Sequence, residues 1–201
     1  MSNKSVSTLI ILFYIFFRIV LDSYWRQVSI YWSYGFELIF AIAVGFYFKS
    51  NIQFFKFQKN QVLFDMIFPL FFGMSLHKLA NMAEVIVPFD LKSTELLIML
   101  LIIAPILEEL IFRMALWEPL KELTSNKTVL IVFTSLLFSV GHFIAFFSVP
   151  KEFKIFVLYQ TQYVILLSLA IGWRRLKTNA LSTAVIFHFF FNFGFYLASK
   201  I

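Results

Sequence analysis

The sequence predicts an all-α fold, a polytopic bundle of about seven transmembrane helices that encloses a buried polar cavity. Composition is the first reason: 61% of the 201 residues are hydrophobic, 14% are charged, and the mean hydropathy is +0.85. Water-soluble domains have a clearly smaller apolar share. The second reason is that the apolar residues gather in long runs, as bilayer-spanning helices require. Together these observations exclude a soluble globular domain.

The apolar runs predict spans near residues 7–21, 34–48, 62–83, 95–117, 128–148, 155–173 and 180–198. The first run follows Lys4 in the manner of a signal peptide. No small-x-small cleavage site comes after it, so we expect a retained span. The segment SYWRQVSIYW, between the first two spans, is typical of an interfacial stretch. Without repeats or linkers, residues 1–201 are predicted to form one transmembrane domain.

Charge and cysteine content narrow the function classes further. The net charge is +6, but the basic residues flank apolar runs and form no patch, which argues against a nucleic-acid partner. The chain contains no cysteine, which excludes disulfides, thiolate metal sites and a cysteine nucleophile. The positive-inside rule predicts an N-in/C-out protein. In this orientation the cytoplasmic basic residues are Lys4, Lys49, Lys56, Lys59, Lys121, Lys127, Arg174, Arg175 and Lys177, and the external ones are Arg26, Lys92, Lys151, Lys154 and Lys200.

The fourth predicted span contains three charged residues, within APILEELIFRMALW at residues 104–117. An ionised side chain at bilayer depth is costly, so such residues are usually paired or functional. Glu109 and Arg113 are four residues apart and share a helical face, which predicts an ion pair. Glu108 points about 100° away from that face. A purely structural charge cluster is the alternative interpretation.

Two later spans carry polar residues at a similar depth. TSLLFSVGHFIAFF contains His142 with Phe138 on the same helical face, and STAVIFHFFFNFGFY contains His188 and Asn192, also four apart. Interhelical packing or hydrogen bonding would explain each residue alone. With a rise of 1.5 Å per residue, Glu108 and His188 lie about 13 to 15 Å from the cytoplasmic edge, and His142 and Asn192 about 19 to 21 Å. This agreement favours a single buried site.

These segments resemble a known family. EELIFR, FSVGH and HFFFN are similar, in this order, to the motifs E-E-x-x-x-R, F-x-x-x-H and H-x-x-x-N of the CPBP family of intramembrane proteases, also called the Abi or CAAX-protease family. The resemblance covers residues 95–198, which we expect to form the catalytic core. It implies an all-helical bundle around a polar cavity and a metal-free, glutamate-dependent peptidase without a cofactor.

The resemblance also implies a role for each matching residue. Glu108 and His142 would hold and activate the attacking water, and His188 and Asn192 would stabilise the tetrahedral oxyanion. Glu109, Arg113 and Phe138 would support the site. Because a glutamate and two histidines are also a legitimate zinc ligand set, a zinc-dependent form of the same protease remains an alternative. Zinc H-E-x-x-H and aspartyl G-x-G-D motifs are absent from the sequence, and Ser139 beside His142 lacks a positioned partner.

A peptide or a membrane protein within the lipid bilayer is the substrate that this resemblance implies. Eukaryotic members cut the last three residues from prenylated CAAX proteins, whereas bacterial members are associated with peptide processing and bacteriocin self-immunity. A chain rich in Phe, Ile and Lys favours a bacterial plasma-membrane protein. The competing class is a non-catalytic membrane immunity or binding protein. A small transporter is disfavoured because the two halves of the chain show no matching Gly or Pro breaks.

Overall fold

Helices dominate the structure. The computed structural model describes residues 3–21, 30–49, 52–56 and 59–201, and within these ranges the chain forms helices, turns and loops but no strand. The predicted all-α class is therefore confirmed. The predicted interfacial stretch at residues 23–32 lies outside the described residues except for its last three, which begin a helix. Arg26 also lies outside them.

The α-helices, numbered in chain order, are α1 (Asn3–Phe16), α2 (Ile30–Tyr47), α3 (Lys59–Met82), α4 (Thr94–Ile98), α5 (Ala104–Leu110), α6 (Trp117–Leu123), α7 (Lys127–Phe143), α8 (Lys154–Thr178) and α9 (Leu181–Ala198). The Asn126 side chain caps α7 by accepting from the backbone N–H groups of its first turn. Asn179, in the left-handed region at φ 54°, ends α8. Short 3₁₀ turns at Ile144–Phe147 and Lys151–Phe153 lie between these two helices.

Three stretches have π-helical geometry. Phe17–Leu21 continues α1, Met99–Ile103 joins α4 to α5, and Ile111–Ala115 follows α5. Residues 94–123 thus form a nearly continuous helical run in which α5 lies between two π turns. A π turn shifts the hydrogen-bonding register from i+4 to i+5 and often occurs at a functional site. Here the two π turns flank the segment that carries the adjacent glutamates.

Among the described residues, five helices are long and apolar enough to cross a bilayer: Asn3–Leu21, Gln61–Met82, Lys127–Phe147, Lys151–Thr178 and Leu181–Ala198. They coincide with five of the seven predicted spans. The second predicted span corresponds to a shorter apolar helix, Trp32–Tyr47. The fourth falls on the run at residues 94–123, whose α segments are individually short. The protein is thus a multi-pass membrane protein, and the count of seven spans stays a prediction.

Helices α3 and α9 pack against each other through glycines. A Cβ built at Gly73 would collide with the carbonyl oxygen of Phe191, and one built at Gly194 would collide with the carbonyl oxygen of Leu70. Small residues at such crossings allow the backbones of membrane helices to approach closely. This contact holds α9, which carries two of the predicted site residues, against α3.

Two arginines of α8 form ion pairs inside the bundle. Arg174 donates to both oxygens of Asp65 on α3, at 2.5 and 2.8 Å. Arg175 lies 3.3 Å from Glu118 on α6, and both side chains are 1% exposed. Both arginines lie within α8, which extends beyond the predicted span at residues 155–173, and their assignment to the cytoplasmic side stays a prediction.

Candidate active site

The two adjacent glutamates of α5 have different surroundings. Pro105 follows the π turn Met99–Ile103 within one helical run, so its missing N–H leaves a carbonyl of the preceding turn without a helical donor. The Glu109 side chain is 2% exposed, whereas that of Glu108 is 28% exposed and lines a cavity. The difference follows from the helical rotation of about 100° between neighbouring residues. One carboxylate therefore faces the interior of the bundle and the other faces the cavity.

Arg113 anchors the buried glutamate to two other helices. Its Nε lies 3.4 Å from Glu109 Oε2, so the structure contains the ion pair that the sequence predicted. Nη1 donates to the Thr134 hydroxyl of α7 at 3.1 Å, and Nη2 donates to the Ser168 carbonyl of α8 at 2.8 Å. Nη2 also contacts the Ser168 hydroxyl. The guanidinium is 1% exposed, and these contacts fix α5 relative to α7 and α8.

His188 of α9 lies between the two glutamates. Its Nδ1 is 2.8 Å from Glu109 Oε1, and its Nε2 is 3.6 Å from Glu108 Oε2. A carboxylate only accepts hydrogen bonds, so Nδ1 carries the proton that is shared with Glu109. This contact fixes the ring orientation and directs Nε2 toward the Glu108 carboxylate. The longer distance exceeds that of a direct hydrogen bond and is within the range of an ion pair when the imidazole is protonated.

His142, in the last turn of α7, lines the same cavity as Glu108. Its Nδ1 lies 3.0 Å from the Phe138 carbonyl oxygen, one turn earlier. The Phe138 ring is buried, and its centroid lies 4.6 Å from that of His142 and 6.0 Å from that of His188. The Phe138 ring therefore packs near both imidazoles.

Asn192 of α9 lies one turn beyond His188. Its amide nitrogen donates to the Leu100 carbonyl at 2.7 Å. Leu100 belongs to the π turn Met99–Ile103. The changed hydrogen-bonding register of a π turn can leave a carbonyl free to accept a hydrogen bond from another helix. Both residues line the cavity. The structure therefore links the third motif to the segment that precedes α5.

A cavity of about 320 Å³ brings most of the predicted site residues together. Its lining combines apolar side chains with polar ones, and the predicted site residues on its wall are Glu108, Phe138, His142, His188 and Asn192. Glu109 and Arg113 are not part of the lining and lie behind it. The predicted site residues therefore fall into a set that borders the cavity and a set that is buried away from it.

Sequence analysis missed an ion pair on the wall of this cavity. Arg18, in the π turn that follows α1, lies 3.1 Å from Glu37 of α2, and both side chains line the cavity. The Tyr14 hydroxyl also donates to Glu37, at 3.4 Å. The signal was present, because each charged residue falls within a predicted span, where charge marks pairing or function. The three motifs, however, all lie within residues 95–198, a range that does not include Arg18 or Glu37.

The alternative zinc ligands Glu108, His142 and His188 line one cavity, but in the described parts of the chain they do not form a metal-binding group. Within residues 3–21, 30–49, 52–56 and 59–201, no group of three or more His, Asp or Glu side chains is placed to hold a metal ion. Zinc requires ligand atoms at about 2.0 to 2.2 Å in a tetrahedral arrangement. The arrangement of these donor atoms in the described residues therefore does not fit zinc.

Fold and site together define a multi-pass helical membrane protein with a carboxylate–histidine cluster at an internal cavity. A family model described as type II CAAX prenyl endopeptidase Rce1-like matches residues 91–194, more than half of the chain. The chain therefore belongs to the Rce1-like family, which agrees with the CPBP resemblance, and the family implies a protease. No curated protein and no solved structure matches the chain.

Proposed function

We propose that the protein is a glutamate-dependent intramembrane endopeptidase in which Glu108 activates the water that attacks the peptide bond. The observation that carries this proposal is the contrast between two adjacent carboxylates. Glu109 is buried and held by Arg113 and His188, whereas Glu108 is 28% exposed at the cavity. A general base must reach its proton directly or through one water. Of these two adjacent glutamates, Glu108 meets that requirement.

In the proposed reaction, Glu108 and His142 hold the attacking water at the cavity wall. The water gives a proton to the Glu108 carboxylate as its oxygen bonds to the carbonyl carbon, which forms a tetrahedral oxyanion. The C–N bond then breaks, and the proton passes from Glu108 to the leaving amine nitrogen. The carboxylate is regenerated, and the balance is one water consumed for one peptide bond hydrolysed.

His188 and Asn192 are the proposed oxyanion donors. The imidazolium form of His188 donates from Nδ1 to Glu109 and presents its Nε2–H toward Glu108 and the cavity. An amide nitrogen carries two hydrogens, so the contact of Asn192 with Leu100 leaves a second N–H for substrate. Fixed donors in a site that excludes water stabilise a developing oxyanion most strongly. Glu109, Arg113 and Phe138 hold these groups in position.

We further propose an N-in/C-out protein of a bacterial plasma membrane. Two contacts support the alternating topology on which this orientation depends. The Ser182 N–H donates to the Phe54 carbonyl at 2.9 Å, and Lys200 Nζ lies 3.1 Å from the Leu91 carbonyl. Each contact joins two segments that the predicted topology places on the same side of the bilayer. The proposed roles are bacterial peptide processing or bacteriocin self-immunity.

Comparison of membrane peptidomes tests the proposal in cells. A strain that carries Glu108→Gln should accumulate uncleaved precursors and lose the matching products, because the variant keeps the side-chain shape but removes the base. Glu122→Gln is the matched control, since Glu122 lies on α6 outside the cavity lining. A prenylated CAAX peptide tests the family's substrate class on purified protein. Identical peptidomes in both strains would indicate the non-catalytic binding function instead.

A further inference from the structure

The ion pair of Arg18 and Glu37 connects the first two helices to the candidate active site. These helices precede residues 91–194, to which the family match is confined. Arg18 Nη1 donates to Glu37 Oε1 at 3.1 Å, and Nη2 donates to the Gly141 carbonyl of α7 at 3.4 Å. One guanidinium therefore joins three segments: the end of the first span, α2 and α7.

The Gly141 carbonyl that Arg18 contacts lies in the last turn of α7. Gly141 immediately precedes His142, and α7 ends at Phe143. The last carbonyls of an α-helix lack intrahelical partners and carry partial negative charge, so a cation there stabilises the helix end. The contact therefore stabilises the turn that carries His142. Because α7 continues into the 3₁₀ turn Ile144–Phe147, the contact lies at the change of helix type, directly beside His142.

The ion pair of Arg18 and Glu37 is largely buried. The side chains of Arg18 and Glu37 are 16% and 9% exposed, and both lie on the wall of the cavity that contains Glu108 and His142. Charge at this depth is tolerated where it is paired or lines a cavity. Both conditions hold for the Arg18–Glu37 pair, and its opposite charges add no net charge to the cavity wall.

We propose that Arg18 is a positioning residue for His142, so that the N-terminal helices complete the active site by fixing the end of α7. Glu37 orients Arg18, with the Tyr14 hydroxyl as a second donor to its carboxylate. This inference rests on the proposed peptidase function. Arg18 acts through the Gly141 carbonyl and does not take part in the chemical steps.

Two substitutions separate positioning from simple stabilisation. Arg18→Gln removes the guanidinium and should lower kcat about 10- to 100-fold with KM unchanged, because misplacement of a catalytic group by about 1 Å has effects of this size. Gly141→Ala tests the same contact in a different way. Its Cβ would lie 3.3 Å from Arg18 Nη2, so the guanidinium would have to shift by a few tenths of an ångström, enough to break a hydrogen bond that is already 3.4 Å long, while alanine improves the helix propensity of α7. This variant should unfold no earlier than the wild type and yet turn over more slowly.

The matched control is Arg174→Gln, which breaks another buried arginine–carboxylate pair of this fold, with Asp65, outside the cavity lining. It should lower thermal stability while preserving kcat per folded molecule. All variants are measured in proteoliposomes with a quenched prenylated CAAX peptide, and Arg18→Lys should recover part of the lost kcat.

The outcomes distinguish a failure of the positioning role of Arg18 from a failure of the proposed peptidase function. Wild-type kcat in both Arg18→Gln and Gly141→Ala, combined with an inactive Glu108→Gln, would overturn the inference and leave the proposed function intact. Full activity in Glu108→Gln, or no cleavage by the wild type, would overturn the proposed function and the inference with it. If Arg18→Gln fails to fold, Gly141→Ala alone decides the question.

Discussion

Arg113→Ala should destabilise the bundle strongly as well as abolish activity. The substitution removes the ion pair with Glu109 and the hydrogen bonds to Thr134 and Ser168, all of them buried. It leaves a carboxylate that is 2% exposed with His188 as its remaining contact. Removal of one partner from a buried ion pair costs about 3 to 5 kcal/mol. For a chain of this length, that loss corresponds to a fall in Tm of about 6 to 20 °C.

Thermal unfolding in a mild detergent, followed by tryptophan fluorescence, measures this change, and the yield of folded protein provides a second readout. Lys121→Ala is the control, because Lys121 is 39% exposed in its pair with Glu118 and such pairs contribute about 0 to 1 kcal/mol. Thr134→Val should lie between the two, because it removes a single hydrogen bond to the guanidinium. Wild-type Tm and yield for Arg113→Ala would refute the proposed supporting network.

Three further predictions address packing, catalysis and metal dependence. Gly194→Ala should reduce the yield of folded protein by forcing α9 away from the Leu70 carbonyl, whereas Gly35→Ala, with open space around its Cβ, should not; equal yields would contradict the packing. Asn192→Ala should lower turnover about 10²- to 10³-fold without loss of fold; near-normal turnover would remove it from the oxyanion site. Activity of the purified enzyme should survive thorough chelation, and rescue of chelated enzyme by added zinc would instead support the metal-dependent alternative.

The helical class followed from the sequence because hydropathy reports directly on burial in lipid. The pairing of Glu109 with Arg113 was also predictable, since i,i+4 spacing places both on one face of a helix whatever surrounds it. The π turns were not predictable in this way. They depend on a shift in backbone hydrogen bonding, and hydropathy carries no information about that register. Their positions on either side of α5 emerge only from the structure.

Contacts between distant segments account for the other differences. The resemblance assigned Glu108 and His142 to the attacking water, and the structure shows in addition that Nε2 of His188 lies 3.6 Å from the Glu108 carboxylate. Sequence spacing gives the position of a residue along its helix, but not the rotation of that helix about its axis relative to other helices. The contact of Arg18 with Gly141 was unpredictable for the same reason, because no spacing rule relates residues on separate helices. Tertiary packing alone decides which polar residues meet.

The central claim, that Glu108 is the general base, is tested most directly by peptide hydrolysis with purified enzyme in proteoliposomes. Glu108→Gln should retain the Tm of the wild type and show no turnover above background, because glutamine fills the same space but accepts no proton from water. Glu122→Gln should match the wild type in both measurements. Wild-type turnover by well-folded Glu108→Gln would contradict the account, since the cavity-facing carboxylate would then be dispensable.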